Sequence, residues 1–520
     1  MQSDPAPRGP LSDAKLPQIH SRGWSLANLV RGRHTVPMAL LLMFPVLFST
    51  ALSRQLKLVN DPDIWWHLMD ARQFFADHHV IRTLTSSFTV AGQPWVNPEW
   101  LSEIPYWLGY RALELRGVYL VTWLVISATL VCFYWRGYLR SRHPGGALLA
   151  SALGLVLITV NLGPRTIAIA YLALAAEMMI LEAADRGRPG LLWFLPPLFC
   201  LWVNLHGSWL IGIGLLVLYA LCGSFTIHKG IFDQQASQPA DRRRLFAVLC
   251  ASFLSLFANP YGWRLVWNPF DMMLNQRLNI SNVQEWKPLD LSSPAGATAV
   301  AAICFMVVAN SLKGRKWRVY EMAVVLFAWY AALSHMRFLF LAAVLTVPFY
   351  AEEIVRAFDL RPDTRTAPVK NAIIVAAAIG LVVFIFPSEA TLEKRAAQFF
   401  PVNSIAAIQP SWRTFNDVNV GGRMAFQSKP SFIDTRFDIF EHRGIMLDYF
   451  KVMYLVDPLK TLDRYGIDHV LVRGATPLGY VLLHTLDWQV IHSEQVQDGT
   501  YLTFAKTADS SPRENGQPAR

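Results

Sequence analysis

Asp61 and Asp63 stand two residues apart in Asn60-Asp61-Pro62-Asp63-Ile64-Trp65-Trp66-His67, shortly after a run of apolar residues. Two carboxylates at that spacing suit two chemistries. One of them takes a proton from an attacking hydroxyl, or the pair holds a hard divalent cation such as Mg²⁺ or Mn²⁺. A plainer use is structural, with Asp63 as the N-cap of a helix that starts at Ile64. Capping accounts for one acid and leaves the other, and the Trp65–Trp66 pair, unexplained. Charge near hydrocarbon is costly, whereas paired Trp suits the headgroup layer. His67 falls one turn after Asp63 on such a helix. There it orients the carboxylate, contacts a phosphate, or simply sits at the interface.

Other candidates lie at corners between apolar runs. Glu99 opens a helix in Asn97-Pro98-Glu99-Trp100 and is a better substrate contact than Glu103; with Asp61 it is also the candidate cation ligand. Arg165 follows Pro164 in a very short link, and its planar fork suits phosphate as well as it suits snorkelling. Asn204 and His206 share a turn with Gly207 and Ser208, which fits a pocket or hydrogen-bonded glue between helices. Glu285 beside Trp286 is a pairing that suits a sugar, with the ring against its CH face and the carboxylate on its hydroxyls. Arg337 sits with His335 at another corner and calls for a phosphate or an acid. Arg165, His206, Arg337 and His67 are thus the candidate phosphate contacts. Glu99, Trp66, Asn204, Tyr261, Glu285 and Trp286 are the candidate substrate contacts. In the tail, Asn416, Gly421-Gly422 and Asp434-Thr435-Arg436 read as loop punctuation or as part of a site.

These residues need a frame that carries them to one place. The chain has 520 residues, 53% hydrophobic and 16% charged, against about 25% charged in ordinary soluble domains. It is a polytopic membrane protein. Its net charge of +10 comes from Lys and Arg between the apolar runs, which speaks for membrane topology and against nucleic acid. Candidate spans lie near 36–53, 117–135, 146–162, 166–183, 190–204, 207–226, 244–259, 296–312, 318–335, 337–352 and 370–387, about eleven in all by length and apolarity. No small-residue cleavage pattern follows the first run, which is expected to stay as a helix behind a disordered cytoplasmic tail over 1–34.

Alternation from an inside N-terminus puts Arg136/Arg140/Arg142, Arg186/Arg188, Arg242–Arg244, Lys313–Arg318 and Arg356/Arg361/Arg365 inside, as the positive-inside rule requires. The opposite face receives the loop 54–116, the corners at Arg165, His206 and Arg337, the loop after Asn259, and everything after 388. Within the first loop, 64–79 and 98–115 read as amphipathic helices lying on the membrane, where they frame a groove for a lipid or merely anchor. Residues 35–387 are the membrane domain. Residues 388–508 change composition, with strands expected at 431–434, 469–472, 488–491 and 501–504 and helices at 439–455, 457–465 and 476–486. They form a small extracytoplasmic α/β domain, followed by disordered 509–520.

All five cysteines, at 132, 200, 222, 250 and 304, lie in apolar spans without CxxC spacing, so no disulfide framework or zinc site is supported. GxSxG, the P-loop, HExxH and a helix-opening GxGxxG are absent.

The set Asp61-Pro62-Asp63-Ile64-Trp65-Trp66-His67, Gly92-Gln-Pro-Trp95, Glu99-Trp100-Leu101, Asn204–Ser208, Asn259–Gly262, Glu285-Trp286, Gly421-Gly422 and Asp434-Thr-Arg436 resembles bacterial membrane proteins of the GT-C glycosyltransferase class. Members of that class carry acids just after helix one, helices on the membrane, and an external terminal domain. The adjacent Asp-Glu pair of protein mannosyltransferases and the WWDYG motif of oligosaccharyltransferases are both missing here. The resemblance implies an inner-membrane enzyme that moves a sugar from a polyprenyl-phosphate donor to an acceptor hydroxyl on the extracytoplasmic face, with inversion and an Asp base. The acceptor would be a glycan, lipid or protein. Two alternatives stand beside it: a transporter or flippase for lipid-linked sugars, and a non-catalytic subunit of a cell-envelope glycan system.

Overall fold

The computed structural model describes residues 61–360 and 368–507. The expected cytoplasmic tail, the first span at 36–53, Arg361, Arg365 and the segment 509–520 lie outside the described residues. The first described helix is α1 (Asp63–Asp77), which buries every side chain from Ile64 to Ala71. Pro62, not Asp63, is its N-cap residue. The Asp61 carboxylate accepts the Asp63 backbone N–H at 3.0 Å, so the local capping falls to Asp61 and Asp63 is left to face elsewhere.

Helix α2 (Trp100–Ser141) runs 42 residues with a break at Leu113 and Glu114, where Glu114 adopts φ 53°. Gly109 and Gly117 meet across this elbow: a Cβ on Gly117 would stand 1.7 Å from the Gly109 carbonyl oxygen. The Leu115 and Arg116 N–H groups, orphaned by the break, donate to the Glu389 carboxylate at 2.9 and 3.0 Å. The expected interfacial helix over 98–115 and span over 117–135 are therefore two arms of one bent helix.

Next come α3 (Pro144–Ile158), α4 (Thr166–Asp185), α5 (Leu195–Leu205) and α6 (Trp209–Cys222). A hairpin absent from the sequence reading follows, β1 (Ile227–Lys229) with β2 (Phe232–Gln234). Then come α7 (Pro239–Ser255), α8 (Trp263–Asn275), α9 (Pro294–Lys313), α10 (Val319–Ser334), α11 (Leu339–Ala357) and α12 (Pro368–Ile385). Helix α11 is buried on all sides from Leu339 to Ala351, as an all-apolar helix at the centre of a bundle should be. Helices α2, α3, α9 and α10 pack around it.

Four described helices are long and apolar enough to cross a membrane, α2, α4, α9 and Met336–Ala357, or five if α12 and the helix bent 62° from it form one crossing. Four more apolar helices are shorter. Reaching eleven crossings takes all nine of these, α7, and the apolar run before Asp61.

The ends of the bundle differ in charge. Arg318 pairs with Asp185 at the C-terminus of α4, Arg140 with Glu321 and Glu352, and Arg315 with Glu321. Arg165 and Thr166 begin the same α4. Its 20 residues separate the basic-loop end from Arg165 by roughly 30 Å.

After α12 come α13 (Glu389–Phe399), α14 (Val402–Ala407), β3 (Thr414–Asn416), α15 (Val418–Phe426), α16 (Phe437–His442), α17 (Ile445–Met453), α18 (Pro458–Arg464), β4 (His469–Arg473), α19 (Pro477–Leu483), β5 (Trp488–Val496) and β6 (Gly499–Lys506). The sheet order is β3-β4-β6-β5, with β3 parallel to β4 and the other pairs antiparallel. Residues 431–434 form no strand: one bridge joins Ser431 to Ser87, and the strand on that side is the three-residue β3, too short to show a pattern. The expected helix over 439–455 is two helices, parted at Gly444 with φ 73°. The core of this region takes in Trp66 and Trp95 from the other end of the chain.

The Gly421-Gly422 pair permits this seating. A Cβ on Gly421 would lie 1.9 Å from the Ile433 carbonyl oxygen, and one on Gly422 2.9 Å from that of Pro62. Gly421→Ala is expected to destabilise the detergent-solubilised protein by about 1–3 kcal/mol, with a smaller loss for Gly422→Ala. A Gly421→Ala melting temperature equal to wild type would show that the two segments do not pack this closely.

Candidate active site

Asp63, His67, Glu99, Arg165, Thr166, Ile167, His206, Glu285 and Arg337 line one cavity of about 70 Å³. Seven of these nine come from the candidates named by sequence, and they arrive from separate segments. Asp63 and His67 lie on α1, Glu99 precedes α2, and Arg165 and Thr166 open α4. His206 leaves α5 in an extended conformation, φ −171° and ψ 145°, which turns its ring inward. Glu285 and Arg337 sit on short turns before α9 and α11.

Arg165 is the hub. Its Nε donates to Asp61 and its Nη1 to Glu285. Its backbone carbonyl accepts from the Tyr106 hydroxyl at 3.1 Å. Arg337 stacks over the Trp286 ring at 4.2 Å. Burial, and then the neighbouring Asp61 charge, push the Asp63 carboxyl up from the ordinary aspartate range to about 7. The Thr435 hydroxyl stands in hydrogen-bond reach of Asp63 and accepts the Trp66 indole N–H at 3.1 Å. Glu285 goes the other way: burial raises it, but Arg165 and then Arg337 outweigh burial and hold it below the usual range.

Glu99 is held from several sides. Thr166 Oγ1 donates to it at 2.5 Å, His206 Nε2 lies at 3.2 Å and His67 Nε2 at 3.6 Å. His206 Nδ1 accepts the Ser208 N–H at 3.0 Å, so in the neutral ring the proton is on Nε2 and points at Glu99. Burial, and then the Arg337 charge, lower His206 to about 3. Burial, and then Arg436, lower His67 well below its usual value. Burial also raises Glu99. The histidines therefore meet the cavity as neutral hydrogen-bonding groups, and the fixed positive charge comes from the two arginines.

The remaining candidates stand outside the cavity. Trp66 is 7% exposed and in the core beneath the sheet. Asn204 accepts from the Trp100 indole at 3.0 Å and donates to the Cys200 and Ala258 carbonyls. Tyr261 donates to the Ile81 carbonyl at 2.7 Å, and Trp286 backs Arg337. None of these four lines the cavity, and Asn204 instead borders a separate groove with Trp100, Cys200 and Ala258. Asp61 and Glu99, the candidate cation pair, are engaged by Arg165 and by Thr166 and His206. Among the described residues, the one cluster of three metal-type side chains with converging donor atoms is Glu114, Glu389 and Glu393, away from this cavity.

Sequence reading missed Asp70, although it lies seven residues after Asp63 and so on the same helical face. Arg436 donates to Asp434 at 3.0 Å and to Asp70 at 3.3 Å, and it faces the Trp66 and Trp95 rings at 5.5 and 5.3 Å. Asn97 donates to Glu103 at 2.8 Å, and Glu103 in turn meets His67 Nδ1 at 2.9 Å. Asp434-Thr435-Arg436 is thus the wall behind α1 and not loop punctuation.

Compared with solved structures, the chain is similar to the Archaeoglobus fulgidus oligosaccharyltransferase tethered to an acceptor peptide containing the NVT sequon, with a TM-score of 0.51 at 10% identity over 83% of this chain and 69% of that one. The shared fold is the GT-C fold. ArnT from Cupriavidus metallidurans bound to undecaprenyl phosphate matches with a TM-score of 0.49 at 13% identity, covering 90% of this chain and 99% of that one. The archaeal oligosaccharyltransferase AglB from Archaeoglobus fulgidus, in complex with an inhibitory peptide and a dolichol-phosphate, matches at 0.45 and 8% identity, covering 91% and 75%. No protein-family model and no curated protein matches the chain.

Arg436 is the cation of a buried group of three, with Asp70 and Asp434 each 1% exposed or less. Arg436→Met leaves both carboxylates without it, and the expected cost is about 3–5 kcal/mol. Thermal unfolding in detergent reads this directly, and a melting temperature within error of wild type would mean that the group does not fasten α1 to the tail.

Proposed function

We propose that this chain is an inverting membrane glycosyltransferase acting at the extracytoplasmic face on a polyprenyl-phosphate sugar. One observation carries the reading: eight polar side chains from six separate segments converge on one cavity, at the end of the bundle opposite the basic loops. The likeness of fold to an oligosaccharyltransferase supports it. A fold alone does not fix a reaction; the residues in the cavity do that.

In this reading Asp63 takes the proton from the acceptor hydroxyl. The acceptor oxygen forms a bond to the anomeric carbon while the bond from that carbon to the phosphate oxygen breaks. A single displacement of this kind inverts the anomeric centre. Negative charge grows on the departing phosphate, where Arg165, Arg337 and the positive end of the α4 dipole are placed to receive it. The phosphate takes over the place that Glu285 holds on Arg165, which opens the small cavity to the sugar. Glu99, oriented by His206 and Thr166, contacts the sugar hydroxyls, and Asp61 keeps Arg165 in position. Eleven crossings, an N-terminus inside and an extracytoplasmic tail complete the proposal.

A base is useful only when ionised, and its proton is lost as pH rises through its raised value near 7. The expected kcat/KM therefore climbs with pH through that region and levels above it. Asp63→Asn is expected to lower transfer by about 10²–10⁴-fold. Reconstituted protein with a radiolabelled polyprenyl-phosphate sugar provides the assay. Asp63→Asn turning over like wild type would remove Asp63 from the role of base.

The leaving phosphate is assigned to arginines, and both expected cation ligands already have protein partners. EDTA treatment is accordingly expected to change the rate by less than about two-fold, whereas metal-assisted departure would depend on an ion. A loss on EDTA treatment that Mn²⁺ restores would reassign Asp61 and Glu99 to a metal.

A further inference from the structure

A second cavity, about 350 Å³ in volume, lies between α8, the segment Pro94–Val96 and α16. That volume is at the lower end of the range for small-molecule sites, about 300–1,000 Å³. Trp263 and Trp267 stand one helical turn apart on α8, 64% and 48% exposed. Asn268 and Asp271 come from the same helix, and Asp438 and Arg443 face them from the tail.

The walls are fixed before any ligand arrives. Asp271 and His442 bridge them at 2.6 Å. Glu441 on α16 accepts the Leu278 and Asn279 N–H groups, both at 2.8 Å. At the floor, the Trp95 indole N–H donates to Asp438 at 2.9 Å. Trp95 packs edge-on against Trp66 at 6.0 Å, and Trp66 lies against the His67 ring at 3.6 Å. Two tryptophans thus form the partition between this groove and the cavity that holds Asp63.

We infer that this groove is a saccharide-binding subsite for the acceptor side of the reaction. Indole faces offered to solvent stack on the CH face of a pyranose, and a ring of carboxylate, amide and guanidinium groups provides the paired donors and acceptors that vicinal hydroxyls need. A purely membrane-facing use of the two Trp would leave the polar opposite wall without a purpose. The inference rests on the transferase reading in one respect, the naming of the bound sugar as acceptor.

Direct binding is the test. Full-length protein in lipid nanodiscs, without donor, is applied to a printed array of mono- to tetrasaccharides carrying an unmodified peptide set as the comparison. Retention on at least one saccharide class is expected, falling about tenfold in Trp267→Ala. Asn268→Ala is the second variant, and melting temperatures equal to wild type show that both fold. Retention on no saccharide, retention on peptides alone, or equal retention by wild type and both variants overturns the inference. The array reads no turnover, so its failure leaves the transfer reading standing, and failure of the donor assay leaves the groove standing.

Discussion

The Arg165 guanidinium lies between two carboxylates, Asp61 at the start of α1 and Glu285 in the turn before α9. Charges removed from water cost several kcal/mol each unless they are met by partners in good geometry. Both carboxylates find their counter-charge in the same guanidinium. The first long loop, the 161–165 link and the loop before α9 are therefore fastened at a single point. Arg165 is also the residue from which α4 begins, so the same point fixes a helix whose far end lies among the basic loops.

A second charged group performs the same service on the other side of α1. Asp70, Asp434 and Arg436 are all nearly solvent-free, and they join a helix at residue 70 to a loop more than 360 positions later. Around them Trp66 and Trp95 fill the core beneath the sheet. The region after 388 is thus not an appendage hung from the bundle. It supplies the back of the wall against which Asp63 and His67 are placed, with Thr435 in reach of Asp63 itself.

Much of the cavity was legible from residue type and position. Asp63, His67, Glu99, Arg165, His206, Glu285 and Arg337 are polar groups at the ends of apolar runs, and placing every run end on the correct face is enough to gather them. Asn204, Tyr261, Trp66 and Trp286 carry the same signal, a polar or amphipathic group at a corner, yet they stand outside the cavity. Their partners, such as the Ile81 and Ala258 carbonyls, are backbone atoms that have no signature in a sequence. Thr166 was missed because a hydroxyl shows its use only through the acceptor beside it, and Thr435 was named only as one member of the Asp434-Thr435-Arg436 stretch. The strand Thr414–Asn416 and the hairpin 227–234 are three-residue strands, below the length at which alternation can be counted. The split of 437–453 into two helices turns on one glycine, Gly444.

The elbow in α2 has a consequence for depth. A straight helix of 42 residues would run about 63 Å, twice the thickness of a hydrocarbon layer of about 30 Å. Folding the first arm aside turns that surplus into a shelf that carries Glu103 and the approach to Glu99. The height of the shelf is set where Gly109 touches Gly117, and its tilt is held by Glu389, a residue beyond the last apolar helix. How far below the water line the acids ride is consequently gauged by the far end of the chain as well as by the lipid around it.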